Sequence, residues 1–347
     1  MKKIILWWGR FDNNYSRNRI LRNLMAKLGY QIIDFKPLIS KFGSFQAKFS
    51  IKVKPSLIWV PCFRHRDLKS AFKWACNEKI PLIFDPLIST WDKKINERKK
   101  FTKKSNESFR IKKNESNLFN KSDFLIADTE AHKDFFIKEF NIPEKKIFVI
   151  NVGAEENIFF PSKKIIPSSQ EILFYGSFLE LHGVNVIIDA AKLLINKPIK
   201  WTLIGNFNNS KFIDYPSNIS LEPTVSIEKL AEKIRKASIL LGIFSASDKA
   251  NNVIPNKVFQ SLACGKPIIT RFADAYPKPL TKKNMGIYFI EPNNPKALAN
   301  LINKLIIDKK QIEKTGKLAR KTFQAFFSDE KIMKQLEKLL EKALINS

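Results

Sequence analysis

The chain has 347 residues, 44% of them hydrophobic, so it is long enough for two domains with a sizeable core. Its 61 Lys and Arg against 33 Asp and Glu give a net charge of +28, which points to phosphates, nucleic acid or an anionic membrane surface without choosing among them. The three cysteines, Cys62, Cys76 and Cys264, are odd in number and lack C-x-x-C spacing, which argues against a disulfide framework and a zinc site and fits a reducing cytoplasm.

At the N-terminus Lys2-Lys3 leads into the apolar run Ile4 to Trp8, which Gly9-Arg10-Phe11-Asp12 ends too early for a signal peptide. No later stretch approaches the ~20 apolar residues of a spanning helix. The expectation is a cytoplasmic protein, soluble or peripheral on the inner face of the membrane. The first half then alternates short apolar runs with helical periodicity. Strands are predicted near 3–8, 31–36, 57–61, 81–85, 123–128 and 146–152, and helices near 16–28, 66–78 and 129–140. Strands joined by helix-length connections signal a parallel sheet.

Residues 93–122 stand apart, with eleven Lys or Arg against three Glu, a net of +8. Phe101, Phe109, Ile111, Leu118 and Phe119 are interleaved among them. Basic residues with apolar spacing can lie on anionic lipid, and a solvated helix and loop is the competing account. Pro161 to Ser169, with two prolines and three serines, reads as a linker.

The second half repeats the alternation, with strands near 171–176, 200–205, 219–222, 237–244, 266–270 and 286–290 and helices near 183–195, 226–236, 254–264 and 295–306. Residues 308–327 and 328–345 are helical by periodicity, with Ser328 as N-cap of the second. The fold class is therefore α/β with two doubly wound, Rossmann-like domains and C-terminal helices. The first domain spans 1–165, the second 166–325, and the helix of 326–347 is long enough to pack back on the first.

The stretch 254–270 is the centre of this plan. Pro255 suits the first turn of a helix, Gly265 its C′ position, and Lys266-Pro267 leads into the strand Ile268-Ile269-Thr270. Val258, Phe259 and Leu262 make one apolar face, and Lys257, Gln260 and Ser261 fall on the other. A strand feeding a helix leaves free N–H groups and a positive dipole end at Pro255-Asn256, a place for phosphate. Lys257 and Gln260 can hold a phosphate and a sugar hydroxyl there. An ordinary amphipathic helix with a surface lysine and glutamine is the competing account.

Ile254 to Pro267 resembles the large retaining family 4 of nucleotide-sugar glycosyltransferases, in the branch with a Pro-x-Lys-x-x-x-x-x-Ala-x-Gly-Lys-Pro segment. Leu173-Phe174-Tyr175-Gly176-Ser177-Phe178 with His182-Gly183-Val184 is similar to the first strand, loop and helix of that family's donor domain. Thr202-Leu203-Ile204-Gly205 is similar to its second strand. Tyr15 to Arg19, Phe84 to Ser89 and Ala127 to His132 look like segments of its first domain. The resemblance implies the GT-B architecture, two domains facing across a cleft that binds ligands at the carboxyl ends of the strands.

It also implies site residues, and departures from the family pattern. Two glutamates usually stand eight residues apart around the helix, and their positions here are Asn252 and Gln260. The diphosphate-binding cations of the first donor loop fall near Ser177 and His182, so the leaving diphosphate would rest on Lys257, His182 and helix N-termini. Gly176, Ser177 and Gly205 line the donor loops. The acceptor-side catalytic position falls at Asp85, where a carboxylate can orient or deprotonate a hydroxyl; Asp before Pro is also an ordinary turn opener. Gly9 would let backbone approach the diphosphate with Arg10 beside it, or simply make a tight turn.

His65, His132 and His182 have no metal-ligand spacing and no Asp-x-Asp occurs, so no metal is expected and the nucleotide sugar is a co-substrate rather than a cofactor. Loops of the Gly-x-x-x-x-Gly-Lys-Ser/Thr and Gly-x-Gly-x-x-Gly types are missing, as is a Ser nucleophile elbow. The leading reading is a metal-independent retaining transferase acting on a glycan or lipid-linked acceptor, as in surface polysaccharide synthesis. A weakly active or inactive relative that binds without turnover comes second. A nucleic-acid binder comes last, because no nucleic-acid motif accompanies the charge.

Overall fold

The computed structural model describes residues 3–162, 170–206 and 215–345. Most of the linker expected at 161–169, and the domain boundary placed at residue 165, lie outside the described residues. The chain divides into two compact units, 1–152 with 329–347, and 153–328.

Unit 1 runs β1 (Ile4–Trp8), α1 (Ser16–Lys27), β2 (Gln31–Phe35), α2 (Gly43–Ser50), β3 (Leu57–Val60), α3 (His65–Glu78), β4 (Leu82–Phe84), α4 (Thr90–Asp92), α5 (Asn106–Phe119), β5 (Phe124–Ala127), α6 (Glu130–Phe140) and β6 (Ile147–Val149). The six strands form a parallel sheet in the order β2-β1-β3-β4-β5-β6, with Leu6 opposite Ile58 and Trp59 opposite Ile83. Successive residues face opposite sides of such a sheet, and both sides are covered. Leu6, Trp8, Ile58, Val60, Phe84 and Leu125 pack with Leu68, Phe119, Phe136 and Phe140. Ile5, Trp7, Trp59, Ile83 and Ile126 pack with Ile20, Leu21 and Leu24.

Unit 2 runs β7 (Glu171–Gly176), α7 (Val184–Leu193), β8 (Lys200–Gly205), β9 (Ile219–Glu222), α8 (Ile227–Lys236), β10 (Ile239–Leu241), α9 (Asp248–Asn252), α10 (Asn256–Ala263), β11 (Ile268–Arg271), α11 (Lys278–Lys282), β12 (Ile287–Ile290), α12 (Pro295–Ile306) and α13 (Lys309–Phe326). Its parallel sheet has the order β12-β11-β10-β7-β8-β9, so the strand order reverses between β7 and β10. In open α/β sheets ligands bind outside the carboxyl ends of strands at such a reversal.

The last helix, α14 (Asp329–Ile345), belongs to unit 1. Its Ile332, Leu336, Leu339, Leu340 and Ala343 join the core on the α1 side. Gln335 exchanges two hydrogen bonds with Asn151, at 3.0 and 2.8 Å, and Lys27 pairs with Asp329 at 2.9 Å.

Each predicted strand and helix has a counterpart in the structure, with ends shifted by a few residues. The reading of 237–244 as one strand shortens to β10, beyond which Gly242 N–H still donates to Ile269 O at 2.8 Å and a Cβ on Gly242 would stand 2.4 Å from Thr270 Oγ1. Periodicity missed α2, α4, α5, α9 and α11. In α5 the fully buried positions are Ser108, Glu115 and Phe119, so polar residues interrupt the stripe that Ile111, Leu118 and Phe119 turn to the core. Glu115 is buried there as a cap, accepting from Ser89 Oγ and from the backbone N–H groups of Thr90 and Trp91 at 2.6–2.8 Å. The helices α9 and α11 have only five residues each, too few to set a period.

Candidate functional site

In unit 2, α10 ends as its sequence requires. Gly265 takes a left-handed φ of 67° and donates to the Leu262 carbonyl, while Lys266 N–H reaches Ser261 O, a Schellman closure that turns the chain into β11. Pro255 stands one position earlier than expected, as N-cap with extended geometry, and gives α10 no side-chain cap. Asn256 is the first helical residue.

The amphipathic reading of α10 is corrected by its burial. Besides Val258, Phe259 and Leu262, the polar residues Lys257, Gln260 and Ser261 are also buried, at 6, 7 and 0% exposure. Ser261 Oγ donates to the Lys266 carbonyl at 2.9 Å and so serves the turn. Lys257 and Gln260 point instead to the carboxyl end of β7.

There Lys257 Nζ lies 3.3 Å from His182 Nε2 and over the rings of Phe174 and Tyr175, at 5.0 and 5.9 Å. Among the described residues no carboxylate pairs with it, and burial alone pushes the Lys257 amine down to about 7. Burial, with the neighbouring Lys257, holds His182 neutral, down to about 2. A charged lysine is only a donor, so His182 Nε2 accepts from it and the ring proton stands on Nδ1. That Nδ1 has no hydrogen-bond partner among the described residues.

Both groups converge on Gly176, the last residue of β7. A Cβ built there would sit 3.0 Å from Lys257 Nζ and 3.2 Å from His182 Nδ1, and the backbone takes φ 154°. Gly176 therefore leaves free the space into which an ammonium and an imidazole N–H are directed. Gly183, at φ 62°, begins α7 without a side-chain cap, and a Cβ there would meet Ser245 N at 2.7 Å. Two helix N-termini without side-chain caps, one buried cation and one free imidazole N–H make a surround for an anion.

Gln260 joins this cluster through Tyr175, whose hydroxyl donates to Gln260 Oε1 at 2.7 Å. With its oxygen occupied, the amide has its N–H groups left to offer. Tyr175 was not among the expected site residues, although it stands directly before Gly176 in the sequence. Gly205 lies opposite Gly176 in the ladder, and a Cβ there would fall 2.0 Å from Gly176 O, so its place is the close approach of the two strand ends. Ser177 is exposed beside Gly176, and Asn252 is half-buried at the end of α9. The loop after β10 is held by Arg271, which donates to Ser245 O at 2.9 Å and to Asn251 Oδ1 at 3.2 Å; the sequence reading missed both residues.

The other expected residues lie in unit 1. Gly9 takes φ 136° against the Arg64–Asp67 ion pair, which a Cβ would crowd at 3.0–3.1 Å, and its N–H donates to Phe35 O. Arg10 is exposed and donates to the Leu38 carbonyl at 3.0 Å. Asp85, expected to meet an acceptor hydroxyl, has a carboxylate that is 1% exposed. Asp85 Oδ2 lies 2.6 Å from Arg17 Nε, and Arg17 NH1 also donates to Ile150 O at 3.2 Å. Burial pushes the Asp85 carboxyl up against the pull of Arg17. The pair ties α1 to the ends of β4 and β6 from within. Among the described residues no group of three or more His, Cys, Asp or Glu is placed to hold a metal ion.

Residues 169–308 match the family model described as "Glycosyl transferases group 1". A curated relative, the D-inositol 3-phosphate glycosyltransferase of Paenarthrobacter aurescens (strain TC1), is 24% identical over 223 residues, 58% of this chain and 53% of the relative. The chain spans about half the length of the first curated relatives it matches. Among solved structures, the sucrose-phosphate synthase of Thermosynechococcus elongatus is similar over all of both chains, with a TM-score of 0.75 and 15% identity. Anabaena Alr3699/HepE in complex with UDP is similar over 98% of this chain and 100% of that one, with a TM-score of 0.72 and 13% identity. At these identities the likeness is one of fold, the GT-B fold.

Proposed function

We propose, from the premise that this chain carries a group 1 glycosyl transferase domain over residues 169–308 within a GT-B fold, that it transfers a sugar from a nucleotide-diphosphate donor, with retention, to a glycan or lipid-linked acceptor. The observation that carries the reading is the buried, unmatched Lys257 beside neutral His182 under the bare backbone of Gly176. A buried cation without a counter-charge is costly to the fold, and a diphosphate in that space supplies the missing charge. Negative charge grows on the diphosphate as the glycosidic bond breaks. Lys257 and the His182 Nδ1–H would therefore interact more strongly with the transition state than with the bound donor. Gln260, with its oxygen taken by Tyr175, would donate from its amide to a ribose hydroxyl.

On the acceptor side Asp85 has a buried partner, Arg17. Asp85 acts through Arg17 as a positioning group for the ends of β4 and β6. Gly9 and Arg10 stay as candidates for donor contact at the end of β1. Residues 93–122 would add long-range attraction to an anionic membrane rather than a seat in it, since Ile111, Leu118 and Phe119 pack on the core and only Phe101 and Phe109 are exposed. The second reading, binding without turnover, is favoured by the amides at positions 252 and 260.

A melting-temperature screen of nucleoside diphosphates and their sugars, followed by donor hydrolysis, tests the proposal. One nucleotide should raise the melting temperature of wild type and not of Lys257→Ala, because a ligand of the folded state stabilises it. Turnover in wild type separates a transferase from a binder. If no nucleotide shifts either protein, the assignment of the site fails.

A further inference from the structure

The helix α2 is mounted inside out. Its inward positions are the small residues Gly43, Ser44 and Ala47, while Phe45 and Phe49 point outward at 65 and 64% exposure, their rings 5.2 Å apart. Just before it Leu38, Ile39 and Phe42 are 78, 57 and 58% exposed. The inward face is fitted closely, since a Cβ on Gly43 would come within 2.8 Å of Ser70 Oγ and 3.2 Å of the Trp8 ring. The approach is tied down as well: Leu38 N–H donates to Gln46 Oε1 at 2.9 Å, and Arg10 holds the Leu38 carbonyl. Five large apolar side chains within twelve positions are thus held outward by packing. Contiguous exposed apolar surface of this kind marks an interaction site.

Charge identifies the occupant. Lys36, Lys41, Lys48, Lys52 and Lys54 are all exposed around the apolar residues, and no Asp or Glu occurs between Asp34 and Asp67. A second copy of this chain would set these lysines against its own. Side chains more than half exposed on a short helix form a ridge of tips rather than a groove for a partner helix. Aromatic tips that enter the acyl boundary inside a collar of lysines that meets anionic headgroups are what such a ridge fits.

We propose that residues 38–53, through Leu38, Ile39, Phe42, Phe45 and Phe49 with their lysine collar, seat the protein on an anionic lipid bilayer. The proposal adds a partner to the transferase reading and stands apart from it, because vesicle binding is read without donor or turnover. Co-sedimentation with phosphatidylcholine vesicles, with and without phosphatidylglycerol, should show binding only to the anionic vesicles, weakening steeply with salt. Phe45→Ser/Phe49→Ser should weaken it by about tenfold or more, because two apolar side chains stop being buried in lipid, while the melting temperature stays that of wild type.

The six native tryptophans are all buried, so Phe45→Trp places a single exposed reporter on the ridge. Its emission should shift to the blue and be quenched by brominated acyl chains. Equal binding to neutral vesicles overturns the proposal, as does no binding to either kind. So does unchanged binding by Phe45→Ser/Phe49→Ser when Lys99→Gln/Lys100→Gln/Lys103→Gln abolishes it, which would move the contact to 93–122. Self-association that the serine pair abolishes, with no lipid effect, would make the ridge a contact between copies and also overturn it.

Discussion

Near the carboxyl ends of its two parallel sheets the chain buries charge in two different ways. After β4, Asp85 is matched in charge by Arg17 at 2.6 Å, although Asp85 Oδ1 and Arg17 NH2 have no hydrogen-bond partner among the described residues. At the end of β7, Lys257 has a neutral imidazole at 3.3 Å and no carboxylate among the described residues. A pair matched in charge roughly breaks even against its desolvation. An unmatched buried cation is a standing cost that a sequence under selection for stability alone would lose, so it marks the place where something anionic completes the site. Burial of charge is common to both places, and the balance of charge is what differs.

The largest expected effect lies at the Asp85–Arg17 pair. Asp85→Asn leaves Arg17 buried without its counter-charge and should destabilise unit 1 by about 3–5 kcal/mol, read by urea unfolding. If folded protein is recovered, its nucleotide affinity should match wild type; a stable variant with lost turnover would return Asp85 to the chemistry. The next largest effect is at the open site and has opposite signs for stability and rate. Lys257→Met should raise stability by about 1–4 kcal/mol while lowering turnover by about 10²–10³-fold. The folded state holds the Lys257 amine near 7 against 10.5 in the unfolded chain. The penalty is therefore full below pH 7 and fades as pH rises toward 10.5, and the advantage of Met over Lys should shrink over that same window.

Ligand affinity should run the other way with pH. The diphosphate needs the ammonium, so the dissociation constant of the correct nucleotide should rise by up to about tenfold per pH unit above 7, and Lys257→Arg should flatten the profile in calorimetric titrations. A flat profile in wild type would mean that Lys257 does not meet the ligand. The smallest effect belongs to Gln260. Gln260→Ala removes one neutral hydrogen bond present in ground and transition states, so the donor KM should rise by an amount equivalent to roughly 0.5–1.5 kcal/mol with turnover nearly unchanged.

Much of this architecture is legible in the residues themselves. The alternation of apolar runs with 3.6-residue periodicity gives two parallel sheets, because both faces of such a sheet are covered and its strands read as short apolar runs. Gly265 and Lys266-Pro267 mark the end of α10 by local backbone geometry alone. The sequence also brings Gly176, His182, Lys257 and Gln260 into one set through resemblance, and these four do share one cluster in unit 2.

Neighbours along the chain set the strand order, most of the helices, the turn that ends α10, and the identity of the residues that carry charge. Which side chains face water depends on elements distant in sequence. Periodicity placed Lys257 and Gln260 on a polar outer face, yet β7 and its loop cover them. It gave no reason to expose Phe45 and Phe49, yet α3 accepts only the small face of α2, because Ser70 and Trp8 leave no room at Gly43. Nothing near Asp85 along the chain announces Arg17, 68 positions away, as its partner. Partners across space fix burial and charge balance, and those two quantities turn a residue type into a role.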